Sequence, residues 1–163
     1  MVWLGFLVML VSGCVFPPDL SVDTSDGGVN SPPAIMSISA DEQVLSDSGT
    51  VTFTRGANDP QMVLGLLDND VNDTLYVGIY INYTVQFPEP ARATRDCPTS
   101  GQRTRTCTIP IAGLCPAVGN GFAMTVQVFD RPLAEDNSVP LYKAMIANSG
   151  GLTTNRSYTL NCQ

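Results

Sequence analysis

Residues 74–87 read TLYVGIYINYTVQF, and along them Leu75, Val77, Ile79, Ile81, Tyr83, Val85 and Phe87 alternate with smaller or polar neighbours. A period of two places successive side chains on opposite faces, so the run predicts a β-strand with one face buried. The other face carries Thr74, Tyr76, Gly78, Tyr80, Asn82, Thr84 and Gln86, the half-wetted face of an antiparallel sheet. A run this long bends, and Gly78 is the natural place for the bend. The same alternation recurs in Phe122, Met124, Val126 and Val128, and again in Tyr158, Leu160 and Cys162. Shorter strand candidates are residues 34–40, 50–55, 105–109 and 142–147, whereas helical periodicity is scarce. Short strands separated by Gly, Pro, Asn and Asp clusters predict an all-β chain folded as a single antiparallel β-sandwich.

The first residues follow a different logic. Residues 2–11, VWLGFLVMLV, form an unbroken apolar run of signal-peptide length, too short for the roughly 20 residues of a membrane helix. Small residues follow, and Pro17, Pro18 and Asp19 end any helix. Val11, Ser12, Gly13 and Cys14 resemble the lipobox of bacterial lipoproteins. That resemblance implies a signal peptide over residues 1–13 and a lipid on the Cys14 thiol, which then holds the mature chain to a membrane. In such lipoproteins an Asp after the cysteine signals inner-membrane retention, so Val15 implies the outer membrane. Residues 14–32 are rich in Pro, Asp, Ser and Gly without apolar periodicity and read as a flexible tether. Residues 33–163, about 130 in number, suffice for one domain with its own core and not for two.

With Cys14 set aside, Cys97, Cys107, Cys115 and Cys162 remain, an even number in a compartment where disulfides persist. Three connectivities are possible. The favoured one joins Cys97 to Cys107, closing a short loop, and Cys115 to Cys162, pinning the C-terminal strand. The spacings lack the close pairs, and the chain lacks the histidines, that a zinc site needs.

The order Pro32, Pro33, Ala34, Ile35, then residues 49–54 (GTVTFT), then Asn58, Asp59, Pro60, then Asp73, Thr74, Leu75 resembles an immunoglobulin-like or cadherin-like domain of bacterial surface proteins. In such domains the Asp-Pro and Asp-Thr-Leu segments lie close together, whereas here residues 61–72 intervene. The wider layout, with DTLYV entering a long strand and a later FDRPL, is similar to myxobacterial lipoproteins, a resemblance that implies no biochemical activity.

Two clusters are candidate ligand sites. Asp68, Asp70, Asn72 and Asp73 offer oxygens at alternate positions, which suits Ca²⁺, with Asp59 as a further ligand. An EF-hand is excluded, because its sixth and twelfth positions would be Asp73 and Ile79. The same residues equally suit an acidic turn, since Asp and Asn side chains bond nearby backbone. Arg92, Arg95, Arg103 and Arg105 flank the expected Cys97 to Cys107 loop, and guanidinium matches phosphate, sulfate or acidic polysaccharide in bidentate fashion. Solvated arginines balancing acidic neighbours explain them as well.

A formal net charge of −7, no His and a single Lys at position 143 exclude nucleic acid as the expected partner. The same lack removes Ser-His and Cys-His nucleophile pairs, so no catalysis and no cofactor beyond calcium is expected. Carboxylates such as Glu89, Asp130 or Glu135 leave a small hydrolase as a minor alternative. The reading is an envelope lipoprotein, membrane-bound through its lipid, whose sandwich binds a glycan, peptide or protein. The alternative is an accessory subunit of an outer-membrane assembly.

Overall fold

The computed structural model describes residues 30–40, 43–56, 60–132 and 151–163. Residues 1–13, Cys14, the tether as far as residue 29, Asp59, Glu135, Lys143 and the candidate strand 142–147 lie outside the described residues.

The chain is all-β, with nine strands among the described residues: β1 Ala34–Ala40, β2 Gln43–Val44, β3 Gly49–Phe53, β4 Gln61–Leu67, β5 Leu75–Ile81, β6 Ala93–Cys97, β7 Thr104–Pro110, β8 Phe122–Phe129 and β9 Thr153–Cys162. They form a four-stranded sheet, β2-β1-β4-β7, and a five-stranded sheet, β3-β9-β8-β5-β6. The purely antiparallel expectation is corrected at one place. β3 runs parallel to β9, from Gly49 opposite Tyr158 to Phe53 opposite Cys162, while the other pairings are antiparallel. The chain enters β3 after crossing from one sheet to the other, so it arrives beside the last strand in the same direction.

The inward faces of both sheets meet in one apolar core, in which Ile38, Leu64 and Ile109 of the smaller sheet pack with Val77, Val126 and Leu160 of the larger. Each buried aliphatic side chain of this kind contributes roughly 1.5–3 kcal/mol relative to an exposed one. β5 follows the period-two expectation with Leu75, Val77, Ile79 and Ile81 inward, but it stops at Ile81 rather than continuing to Phe87. Asn82 ends it with φ of 52°, a left-handed conformation that Asn tolerates and that breaks the pleat. Val85 and Phe87 therefore stand in solvent, 72% and 77% exposed, on the loop to β6.

Two strands lacked a readable pattern. β4 buries Met62, Leu64 and Leu66, yet its outer positions Val63, Gly65 and Leu67 are also apolar or small, so no alternation shows. It is nevertheless the spine of its sheet, pairing β1 on one side and β7 on the other. β6, reading ATRDC, has only Cys97 buried.

Both disulfides form in the favoured connectivity. Cys97 and Cys107 join β6 of the larger sheet to β7 of the smaller, and Cys115, after β7, joins Cys162 of β9. Arg156 of β9 adds a polar tie, donating to the Ile35 carbonyl at 2.7 Å and pairing with Asp47 at 3.0 Å.

Candidate functional site

The outward face of the smaller sheet carries a groove. β7 turns Arg105, Cys107 and Ile109 inward and Thr104, Thr106 and Thr108 outward, so the ligand-accessible face of this strand is a row of hydroxyls. Beside Thr106 in the register is Gly65 of β4, and beside Gly65 is Ser37 of β1, so the middle of the face has no large side chain. A β-bulge between Ile35 and Ser37 puts Met36, 60% exposed, on the same side. The connection between β6 and β7 rises as a wall, and the whole forms an open groove of about 740 Å³ lined by Met36, Gly65, Ser100, Gln102, Thr104 and Thr106. Arg105 also borders the groove, but its guanidinium is buried against Asp68 and the Asp73 carbonyl, and the other lining side chains are uncharged: they offer hydroxyl and amide hydrogen bonds and one flexible apolar surface. The wall is held at its base by the Cys97 to Cys107 disulfide and at its crest by Thr99, whose hydroxyl donates to the Val71 carbonyl.

The four arginines do not converge on this groove. Arg105 belongs to the inward set of β7, and its guanidinium is consumed beneath the sheet, donating to Asp68 at 3.2 Å and to the Asp73 carbonyl at 2.6 Å. Arg92 pairs with Glu89 at 3.4 Å on the exposed loop before β6. Arg95 lies on β6 between Thr94 and Asp96, and Arg103 is exposed just before β7. An anion clamp built from all four is therefore not assembled, because strand periodicity sends Arg105 to the core side, where Asp68 and the Asp73 carbonyl take its guanidinium.

The acidic turn at residues 68–73 is built by side chain and backbone together. Asp68, buried, accepts the Asp70 N–H at 3.0 Å, and the Asp73 N–H donates to the Asp70 carbonyl. Burial pushes the Asp68 carboxyl above its ordinary value, against the opposing pull of the Asp70 N–H and the Arg105 charge. Asp73 pairs with Arg131 at 2.6 Å, and this hydrogen bond holds the Arg131 guanidinium more firmly protonated. Asn72 is exposed and away from these contacts. Arginine thus takes the carboxylates of Asp68 and Asp73 that calcium would need. Among the described residues no group of three or more His, Cys, Asp or Glu side chains is arranged to hold a metal ion.

One further junction escaped the sequence reading. Asp130, just past β8 and 2% exposed, accepts the Asn30 side-chain amide at 2.6 Å and the Leu152 N–H at 2.7 Å. Its neighbour Arg131 reaches Asp73, and the Ser31 N–H points to Asp70 at 3.4 Å. The start of the sandwich is thereby fastened to the central strands at the end that bears the acidic turn. The FDRP sequence closing an apolar strand was the available signal, an acid and a base at the point where backbone pairing ends. Glu89, on the loop after β5, and Asp130, after β8, lie toward opposite ends of the antiparallel β5–β8 pair, so these carboxylates do not face each other across a cleft.

Comparison with protein families, with curated proteins and with solved structures finds no match to this chain.

Proposed function

We propose that this chain is a lipid-anchored protein of the bacterial cell envelope, held through Cys14 in the outer membrane after removal of residues 1–13, whose sandwich binds a glycan, peptide or protein. The observation that carries the binding reading is the groove over Gly65: a small-residue trough with a hydroxyl-lined side and a wall fixed by a disulfide. A preformed concavity loses little ordering entropy when a ligand enters it, which is what a non-catalytic binding module needs. The disulfides suit an oxidising compartment outside the cytoplasm. Strand order supports an immunoglobulin-like arrangement, since β1-β4-β7 and β9-β8-β5-β6 correspond to the A-B-E and G-F-C-C′ strands of such sandwiches.

Capture of partners by the full lipidated chain from membranes, compared between the wild type and Thr106→Trp, tests the groove. A ligand retained by the wild type and lost with the filled groove supports the reading, and identical capture by both overturns it. Mass spectrometry of the natural protein tests the anchor, which requires residues 1–13 to be absent and Cys14 to carry lipid.

A second reading, an accessory subunit of an outer-membrane assembly, is favoured by Val85 and Phe87, exposed apolar residues on one loop. Val85→Ser with Phe87→Ser would detach the chain from such an assembly while leaving groove-dependent capture unchanged.

A further inference from the structure

Three Asn-x-Ser/Thr triplets occur in the chain, beginning at Asn72, Asn82 and Asn155. The triplet is the acceptor signal for attachment of an oligosaccharide to the asparagine amide, and it works only where the segment is reachable at the surface. The structure separates the three. Asn82 is committed to the fold: its side-chain oxygen accepts the Ala123 N–H at 2.9 Å, its own N–H donates to the Ala123 carbonyl, and its φ of 52° depends on that bracket. Asn155 lies inside β9, opposite Gln127, where an extended backbone carries Ser157 away along the strand. Asn72 differs from both. All three asparagines are exposed, so what sets Asn72 apart is its place in the turn between β4 and β5, outside the strand ladders, with a side chain that makes no hydrogen bond among the described residues. The Asp73 N–H donates to the Asp70 carbonyl at 3.0 Å, closing a turn that contains Asn72, and β5 begins only at Leu75, so the whole triplet lies outside the sheet.

Resting on the export reading above, we infer that Asn72 is an N-glycosylation site, taking an oligosaccharide from a lipid-linked diphosphate donor through an envelope transferase. In the transfer the Asn72 Nδ2 forms a bond to the sugar C1, the C1–oxygen bond to the diphosphate breaks, and the amide gives up one proton as the lipid diphosphate leaves. Attachment demands nothing of the fold, since Asp68, Asp70, Asp73 and Thr99 hold the turn through groups other than the Asn72 side chain. The glycan would stand next to Val71, whose carbonyl is bonded by Thr99 of the groove wall, and so would border the mouth of the groove.

The full chain purified from membranes of its native host, digested and read by mass spectrometry, tests this directly. The expected result is a glycan on the Asn72 peptide and none on those of Asn82 and Asn155. Loss of the glycan is expected in both Asn72→Gln and Thr74→Ala, the second of which keeps the asparagine. A bare Asn72 in protein that lacks residues 1–13 and has its disulfides formed overturns the glycan inference alone. An unprocessed N-terminus with reduced cysteines overturns the export reading and the glycan inference with it.

Discussion

The Arg105 guanidinium lies 3.2 Å from the Asp68 carboxylate, with side-chain exposures of only 3% and 1%. Such a pair is costly to break from one side, because the survivor is a buried charge without its counterpart. Arg105→Met is expected to destabilise the protein by roughly 3–5 kcal/mol, and Arg105→Met with Asp68→Leu to recover most of that loss. Urea unfolding of the three proteins checks the order; a double variant no better than the single one would sink it.

Asp68 also predicts a pH dependence. Burial raises its folded pKa above the ordinary 3.8, so the folded state holds this proton more tightly than the unfolded state. Its contribution to stability is then greatest at low pH and declines as pH climbs from 3.8 through the raised folded value. The stability advantage of the wild type over Asp68→Asn should narrow over that window in unfolding curves recorded at stepped pH. A widening gap contradicts the prediction.

Removing the two disulfides should have unequal effects. Cys115 and Cys162 are 47 positions apart and Cys97 and Cys107 are 10 apart. In the chain-entropy account the longer closure is worth about 4 kcal/mol and the shorter about 3. Paired Cys→Ala variants compared by chemical denaturation should keep this ranking, with the Cys115 and Cys162 variant the less stable.

The Gly65 trough is filled from one side already. A Cβ built there meets the Ser37 Oγ at 2.6 Å, so Gly65→Ala forces the serine to move. A loss on the order of 1 kcal/mol is expected, and Ser37→Ala added to it should relieve the clash. Thermal unfolding of both variants gives the answer, and additive losses would show that the two positions do not touch.

Asp130→Ala should loosen the start of the sandwich and the beginning of β9 together, since one carboxylate serves Asn30 and Leu152. The two contacts, being made to a charged and buried acceptor, are worth roughly 1.5–3 kcal/mol each before relaxation. Hydrogen exchange at Asn30, Ser31 and Leu152 should accelerate, with the Leu64 amide in the opposite sheet unaffected.

Much of this fold is legible in the amino-acid order where one face is apolar and the other is not. β1 has the expected bounds, and the inward sets of β5, β8 and β9 follow their alternation. β4 was hidden because Val63, Gly65 and Leu67 on its outer face resemble its core positions, and β6 because it has almost no core positions. The direction of the β3–β9 pairing has no local signature, since it depends on where a crossover delivers the strand. The arginine cluster misled for a related reason. Nearness in sequence places Arg103 and Arg105 together, whereas the sheet makes one a surface group and the other the counter-charge of Asp68. The groove needs a floor from β4, so it was invisible without that strand.

Asn30 and Asp130 also stand first in line when the protein is pulled from its N-terminal side. Their contact is a single hydrogen bond, so it gives way early and the force passes along the covalent chain into β1. There β4 holds β1 along its length, and its ladder is the one that such a pull would have to open.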